Sequence, residues 1–434
     1  MIEPSERLLW LLVLAAAVGT LGLVAPPIGA AAPYIVVGVM AAVLLDFSLA
    51  GSPRKLQVRR VLPEIIVEGR PVEIGVEITA PRRVDVDVCD TLPARGGAAV
   101  VAEYRVTVAP GERCVARCVQ TFRRRGAHTF GRIALRTVGP LGLLQRRERR
   151  TLQDGIHVLL DLATIALRAE GLLRGSAQQG VRRRQIHGDG REFESLREYR
   201  RGDDIRLVDW KRSARHSELV VKNLRPETRQ DVVVCFDAGR QMCGRHAELD
   251  GGWERFEAGL QVGMTLAAAA LLRGDRCGVV AFADETLGFA APAEGRRSLR
   301  TLAGAIKDVD AAPVEADYAR LASGLIVSQR RRALICIVTD VVDEPSARAL
   351  ALAVAVLRQR HVVTVVAMGD PGLARLARSA DEAVADAAER LLEHRRRAIA
   401  ALRAAGAIVV DTPSAQAAVL AVDAYLTIKG QGQL

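Results

Sequence analysis

The sequence predicts an α/β doubly wound sheet, preceded by an all-β sandwich-like domain and two N-terminal transmembrane helices. Three observations predict it: two uncharged apolar runs in the first fifty residues, period-two alternation from Leu56 to about Leu160, and strand-like and helix-like runs alternating after Asp237. The chain has 434 residues, enough for two or three domains at a prior of ~150 residues each. Half of it is apolar and 26% is charged, which excludes wholesale disorder and a rod-like repeat. Seven cysteines at irregular spacing exclude a disulfide-stapled secreted scaffold. The expected divisions are a helical hairpin over 1–52, a β domain over 53–165, a linking segment over 166–230 and the α/β domain over 231–434.

The first apolar run, Leu8 to Ala25, closes at Pro26-Pro27, and a second runs from Ala31 to about Leu45. A helix of ~18 to 20 residues crosses a hydrocarbon core of about 30 Å and satisfies its own backbone there. Arg7 precedes the first run, and Arg54, Lys55, Arg59 and Arg60 follow the second, with no charge in the connecting turn. The positive-inside bias then places both ends in the cytoplasm, making a multi-pass protein of the cell membrane. Asp46 falls at the exit, where the interface would hydrate it. A cleaved signal peptide at Ala30-Ala31-Ala32 is the competing explanation, opposed by Glu3 and Glu6 and by the second run. The basic cluster after the second run reads as a topology signal; binding of acidic headgroups is its other use.

In the β domain, Val72 to Ile78, Val84 to Val88 and Tyr104 to Val108 alternate apolar with polar, the mark of half-buried strands. Glu68-Gly69-Arg70-Pro71, Ala80-Pro81, Ala109-Pro110-Gly111 and Gly139-Pro140-Leu141-Gly142 separate them as turns. Cys114 and Cys118 share a strand face, without further ligands at metal spacing.

The chain carries 61 Lys+Arg against 50 Asp+Glu, a formal net charge of +11. Only five of the basic residues are lysines, and the arginines are scattered among alanines, a compositional habit rather than a nucleic-acid footprint. No nucleic-acid partner is expected. Charge is dense between Gly188 and Met242, where arginines and carboxylates interleave with Phe193, Tyr199 and Trp210. Guanidinium groups pair bidentately with carboxylates and stack on rings, so a locally compensated ion-pair network is expected there.

That segment reads Gly190-x-x-Phe193-x-x-Leu196-Arg197-x-Tyr199-x-x-Gly202-Asp203-x-x-Arg206-x-x-Asp209-Trp210-x-x-Ser213-Ala214-Arg215. It closely resembles the signature of the bacterial family called "domain of unknown function fifty-eight", and Gly139 to Leu144 looks like that family's turn ahead of the signature. The resemblance implies a von Willebrand factor A-like fold for the α/β domain, two membrane helices and a β domain. It also implies a MoxR-type AAA+ ATPase as partner, with a membrane transglutaminase-like protein as a possible second. Phe193, Arg197, Tyr199, Gly202, Asp203, Arg206, Asp209, Trp210 and Arg215 are the candidate residues for docking a partner or bracing the soluble domains.

Beyond Asp237, helices are expected at Phe256–Leu272, Leu299–Ile306, Val314–Leu325, Ala347–Leu357, Asp381–Ala404 and from Ser414. Strands are expected at 277–282, 333–338, 361–367 and 408–410. Ligands of such sheets sit at the carboxyl ends of central strands. Asp237 and Asp340 end two of them. Against the Asp-x-Ser-x-Ser pattern that the resemblance implies, Gly239 and Gln241 replace both serines, and the Ala311–Ala316 loop has no threonine. Asp237, Gln241 and Asp340 are thus a degenerate candidate site for Mg²⁺, and no resident cofactor is expected. Cys235, Cys277 and Cys336 fall within apolar strands as core residues. No P-loop, nucleophile elbow or His-Glu-x-x-His motif is present. The expectation is a non-enzymatic, membrane-anchored scaffold or adaptor for a MoxR-type ATPase in envelope or secreted-component assembly. The alternative is a metal-dependent ligand-binding receptor.

Overall fold

Alternating residues in the first half become strands with one buried side, and apolar runs in the second half become strands buried on both. The computed structural model describes residues 2–21, 32–93, 100–178, 192–200, 205–214, 219–225, 229–244 and 255–434. The chain divides into two compact units, Met1–Leu159 and Leu160–Leu434.

The first unit opens with strand β1 (Ile2–Pro4) and helices α1 (Glu6–Leu21) and α2 (Ala32–Leu49). Strands β2 (Gln57–Val61), β3 (Ile66–Val67), β4 (Pro71–Thr79), β5 (Val84–Leu92), β6 (Val100–Val108) and β7 (Arg113–Thr121) follow. The unit closes with β8 (Gly126–Thr129), β9 (Arg132–Val138), β10 (Leu144–Thr151) and β11 (Gly155–Leu159). They form a five-stranded sheet ordered β1-β10-β9-β5-β6 and two three-stranded sheets, β2-β4-β7 and β3-β11-β8. Val76 and Ile78 of β4 share a core with Val86 and Val88 of β5 and Ile133 and Leu135 of β9. The outward residues of β5 make cross-strand pairs: Asp85 accepts from Thr107 at 2.6 Å, and Asp87 from Arg105 and Arg136 at 2.6 and 2.5 Å.

Asp90 occupies a buried position of β5 and is fully covered. Arg60 of β2 explains it, at 2.6 Å from Asp90 with both side chains inaccessible, and 4.7 Å from the Phe130 ring centroid. Arg60 therefore belongs to the β core and leaves the basic cluster assigned to the membrane exit. Asp46 also departs from expectation, since it is wholly buried rather than hydrated. Its carboxylate accepts backbone N–H bonds from Leu141, Leu143 and Leu144 at 2.7, 2.9 and 2.9 Å. The turn from Gly139 to Gly142, with Gly142 at a φ of 69°, aims those donors inward.

Among the described residues, one stretch, Pro33–Lys55, is helical, long and apolar enough to cross a membrane. Helix α1 is described to Leu21, over 16 residues. Both carry exposed large apolar side chains, including Trp10, Val13, Val37 and Leu44.

The second unit begins with helix α3 (Leu162–Gln178), in a segment expected to be a link. Strand β12 (Glu192–Glu198), helix α4 (Trp210–Ser213) and β13 (Val220–Arg225) precede β14 (Asp231–Asp237). Helix α5 (Arg255–Leu272), strands β15 (Arg276–Phe282) and β16 (Thr286–Ala293), and helices α6 (Ser298–Ile306) and α7 (Tyr318–Ser328) come next. The remainder is β17 (Ala333–Thr339), α8 (Glu344–Leu357), β18 (Val362–Gly369), α9 (Pro371–Leu376), α10 (Glu382–Ala404), β19 (Ile408–Pro413) and α11 (Ser414–Gly430). The sheet runs β16-β15-β14-β17-β18-β19, parallel except for the edge strand β16.

Val232, Val234 and Phe236 face a core with α3, α5, α6 and α11, while Val233 and Cys235 face one with α7, α8 and α10. Helices thus cover both faces of the sheet. Gly263 permits the close approach of α5, because a Cβ there would overlap the Phe236 ring. Asp317 explains why α7 starts later than Val314: its carboxylate caps the Arg320 N–H. Burial raises the Cys235, Cys277 and Cys336 thiols, Cys336 to about 12, so they are packing groups rather than nucleophiles.

His361, just before β18, is 2% exposed, and neither ring nitrogen has a hydrogen-bond partner among the described residues. Burial, with Arg360 and Arg332 adding repulsion, lowers its pKa below the usual 6.5. The unfolded chain binds the extra proton first, so this stability is complete above 6.5 and declines as pH falls toward the folded value. Thermal unfolding of His361→Leu is expected to show a flatter loss of stability on acidification than wild type. Parallel profiles would refute the assignment.

Candidate functional site

The sheet delivers Asp237 at the end of β14 and Thr339-Asp340 at the end of β17, side by side at the carboxyl ends of adjacent parallel strands. Asp237 is inaccessible, and its Oδ2 accepts from the Tyr318 and Thr339 hydroxyls, each at 2.6 Å. Its Oδ1 accepts from the Gly239 N–H at 2.7 Å. Burial raises the Asp237 pKa despite these three donors and pushes the Tyr318 phenol well up. Gly239 stands where a Cβ would lie 3.0 Å from both Asp237 Oδ1 and the Val314 carbonyl, a physical reason for glycine in place of serine.

Asp340 is 2% exposed and bound by two guanidinium groups. Arg395 of α10 pairs with its Oδ1, and Arg255 at the start of α5 reaches its Oδ2 at 3.1 Å. Arg395 also donates to Asp411 of β19 at 2.9 Å and to the Ala367 and Val341 carbonyls at 3.2 Å. Burial opposes the charge of Arg395, but Asp340 and Asp411 raise its pKa above that of free arginine. Arg255 extends the network to the Gln241 carbonyl at 3.0 Å and Asp370 at 3.5 Å. At the rim, Arg240 pairs with Glu315 and Asp343. Burial alone would raise Asp343, yet hydrogen bonds from Ser346 and Gln241 and the Arg240 charge bring it below the carboxylate norm.

The three proposed metal ligands therefore meet at one crevice but are committed elsewhere. Gln241 donates its amide to Asp343 at 2.6 Å, Asp237 is held by hydroxyls, and Asp340 already faces two positive charges. A divalent ion beside Asp340 would meet like charge, so the donor set does not fit Mg²⁺. Among the described residues no group of three or more His, Cys, Asp or Glu side chains could hold a metal.

Sequence reasoning missed Tyr318, Thr339, Arg255, Arg395, Asp370 and Asp411. The available signal was weak: Thr339 directly precedes Asp340, and Asp370 and Asp411 lie near the ends of apolar strands.

The signature segment contributes a two-stranded antiparallel ribbon, β12 with β13, in which Phe193 is in register with Leu224 and Arg197 with Val221. Tyr199 extends it through its N–H to the Leu219 carbonyl at 2.8 Å. Arg206 lies in a single 3-10 turn, Ile205–Leu207. Asp209 caps α4 through the Arg212 N–H at 3.2 Å, a local role that the expected ion-pair network did not include. Trp210 opens α4 and is 61% exposed. Gly202, Asp203 and Arg215 lie outside the described residues.

Two solved structures are each similar to about a quarter of this chain. The CARDB domain of the PF1109 protein from Pyrococcus furiosus, solved in complex with di-metal ions, is 15% identical over 24% of this chain and 94% of its own, with a TM-score of 0.17. The PKD domain of an M14-like peptidase from Thermoplasmatales archaeon SCGC AB-540-F20 is 14% identical over 23% of this chain and 93% of its own, with a TM-score of 0.15. At such scores neither informs the site. No curated protein matches the chain. Residues 195–408, which run from the signature ribbon through the Asp237–Asp340 crevice to β19, match the family described as "Protein of unknown function DUF58", and the chain belongs to that family.

Proposed function

We propose that this protein is a membrane-anchored, non-catalytic scaffold whose α/β unit, von Willebrand factor A-like, docks a MoxR-type AAA+ ATPase. The observation that carries the reading is the closure of the crevice. Where such a sheet would open onto substrate or metal, Asp340 is neutralised by Arg255 and Arg395, and Asp237 is saturated by hydroxyl and amide donors. Buried charges tied in this way offer no free base, nucleophile or ligand. The strand order, with an antiparallel edge strand and the winding reversal between β14 and β17, supports the von Willebrand factor A-like assignment.

Exposed apolar faces on α1 and α2 support two membrane spans, with the soluble parts in the cytoplasm and the β strands forming a sandwich beside the membrane. The groups offered for docking are the charged rim, Arg240 with Glu315, and, on the signature segment, the exposed ring of Trp210. The work of such a complex would be assembly or remodelling of envelope or secreted components, and a membrane transglutaminase-like protein fits as a further partner.

Crosslinking in native membranes followed by purification of the full chain tests the docking. The expected result is recovery of a MoxR-type ATPase, diminished by Arg240→Glu with Trp210→Ala; repeated absence of any ATPase overturns the proposal. Calorimetric titration of the detergent-solubilised protein with Mg²⁺ or Mn²⁺ is expected to show no saturable heat. Micromolar binding abolished by Asp237→Ala would instead favour the metal-dependent receptor.

A further inference from the structure

A cavity of about 520 Å³ lies at the carboxyl end of α2, within the first unit. Lys55, Arg82 and Arg146 supply three positive charges to its wall, Ser48 and Ser52 supply hydroxyls, and no carboxylate lines it. Its size falls in the range of small-ligand sites, roughly 300 to 1,000 Å³. Arg146 is held in place by its bond to the Phe47 carbonyl at 2.9 Å and by stacking at 4.3 Å from the Phe47 ring centroid. Its Nε is buried with no hydrogen-bond partner, and none of the three cations has an acidic partner among the described residues. Every other deeply placed arginine described above, Arg60, Arg255 and Arg395, is matched by carboxylates. An unmatched cationic cluster beside a pocket is the arrangement that an anion completes.

The surroundings specify the anion further. Leu49 at the end of α2 lines the cavity, and Leu44, Leu45 and Leu49 on the last turns of that helix are all more than half exposed. A ligand with a negative head and apolar tails would satisfy both surfaces at once. We infer that the cavity lined by Lys55, Arg82 and Arg146 binds the phosphate of an anionic phospholipid, with the acyl chains along the end of α2. The phosphate chemistry stands on the cavity, while the choice of a lipid as its source rests on the membrane reading of α2. Arg54 and Arg59, which sequence alone groups with Lys55, do not line the cavity, and Arg60 is consumed by Asp90. The cavity thus replaces a linear basic run with a shaped one, in which Arg82 and Arg146 come from far along the chain.

Native mass spectrometry of the full chain in detergent, titrated with phosphatidylglycerol or phosphatidylcholine, tests the inference. A direct side-chain hydrogen bond to the phosphate contributes about 1 kcal/mol net, roughly fivefold in affinity. The double variant Lys55→Gln/Arg82→Gln is therefore expected to lose phosphatidylglycerol roughly 25-fold, while Arg54→Gln/Arg59→Gln, equal in charge removed but outside the cavity, loses much less. Equal losses in the two variants, or equal binding of both lipids, overturn the site. Competition with sn-glycerol 3-phosphate and inorganic phosphate separates the sources: displacement at matching concentration assigns the cavity to a soluble phosphate, and persistence assigns it to lipid. Carbonate extraction of cell membranes, read separately, reports on the anchor itself. A chain released by carbonate refutes the membrane reading and leaves the phosphate arm to decide the cavity.

Discussion

Asp46→Ala is expected to destabilise the first unit by about 3 to 5 kcal/mol, because three backbone N–H groups, that of Leu143 buried and those of Leu141 and Leu144 partly so, lose a fully buried charged acceptor at once. In a unit of this size that is a fall in Tm of about 10 °C or more. The substitution removes no large apolar surface, so a loss of this size would come from the polar latch. Gly139→Ala approaches the same contact from the other side, since a Cβ there would overlap the Asp46 carboxylate. Ser5 belongs to the same latch: its hydroxyl donates to the Gly142 carbonyl at 2.5 Å and its N–H to the Leu143 carbonyl at 2.9 Å. Together these bonds fasten α1 and α2 to the turn before β10. Differential scanning of the full chain in detergent, with limited proteolysis to locate the loosened segment, checks it. A Tm within about 2 °C of wild type for Asp46→Ala, equivalent to less than about 1 kcal/mol, would remove the latch from the account.

Arg395→Met should be comparably damaging to the second unit, costing about 3 to 5 kcal/mol, because Asp340 keeps Arg255 as its one charged partner beside the Val341 N–H, and two buried carbonyls lose a donor. A buried pair is costly to break from one side and much less costly to remove from both. The double variant Asp340→Asn/Arg395→Met is therefore expected to recover a substantial part of the loss, giving a coupling energy of about 1.5 kcal/mol or more in a double-mutant cycle. Additive effects would mean that the arginine acts mainly by packing. The outcome also bears on the proposed function, which rests on the closure of this crevice by its ion pairs.

The elements most visible in the sequence were those with a strong local period. Val84 to Val88 alternates in sequence and in burial, and the run at Val232 to Phe236 is covered on both faces of its sheet. Edge strand β16 was not legible, because Thr286–Ala293 mixes glycine, proline and alanine with half-exposed positions and is specified by pairing with β15. Helix α3 was hidden by its position, since its apolar residues Ile165 and Ala169 acquire a partner only when they meet the core beneath α5. In the candidate site, Asp237 and Asp340 stood out as strand-end carboxylates, whereas Arg395 was one of three consecutive arginines in a polar helix. Which of the three turns inward depends on the phase of α10 against β18 and β19, a tertiary quantity.

Hydropathy and its period, local properties of the chain, determined the apolar leader, the strand-rich middle and the strand–helix alternation that follows. Tertiary structure alone decided the fate of the charges, because a carboxylate or guanidinium reads the same in a string whether water or a distant partner surrounds it. Asp46 finds its donors 95 to 98 residues away, Asp90 its arginine 30 away and Asp340 its arginine 55 away. Desolvation makes each charge tolerable only with that partner in place, and no spacing rule along the chain encodes where the partner will be.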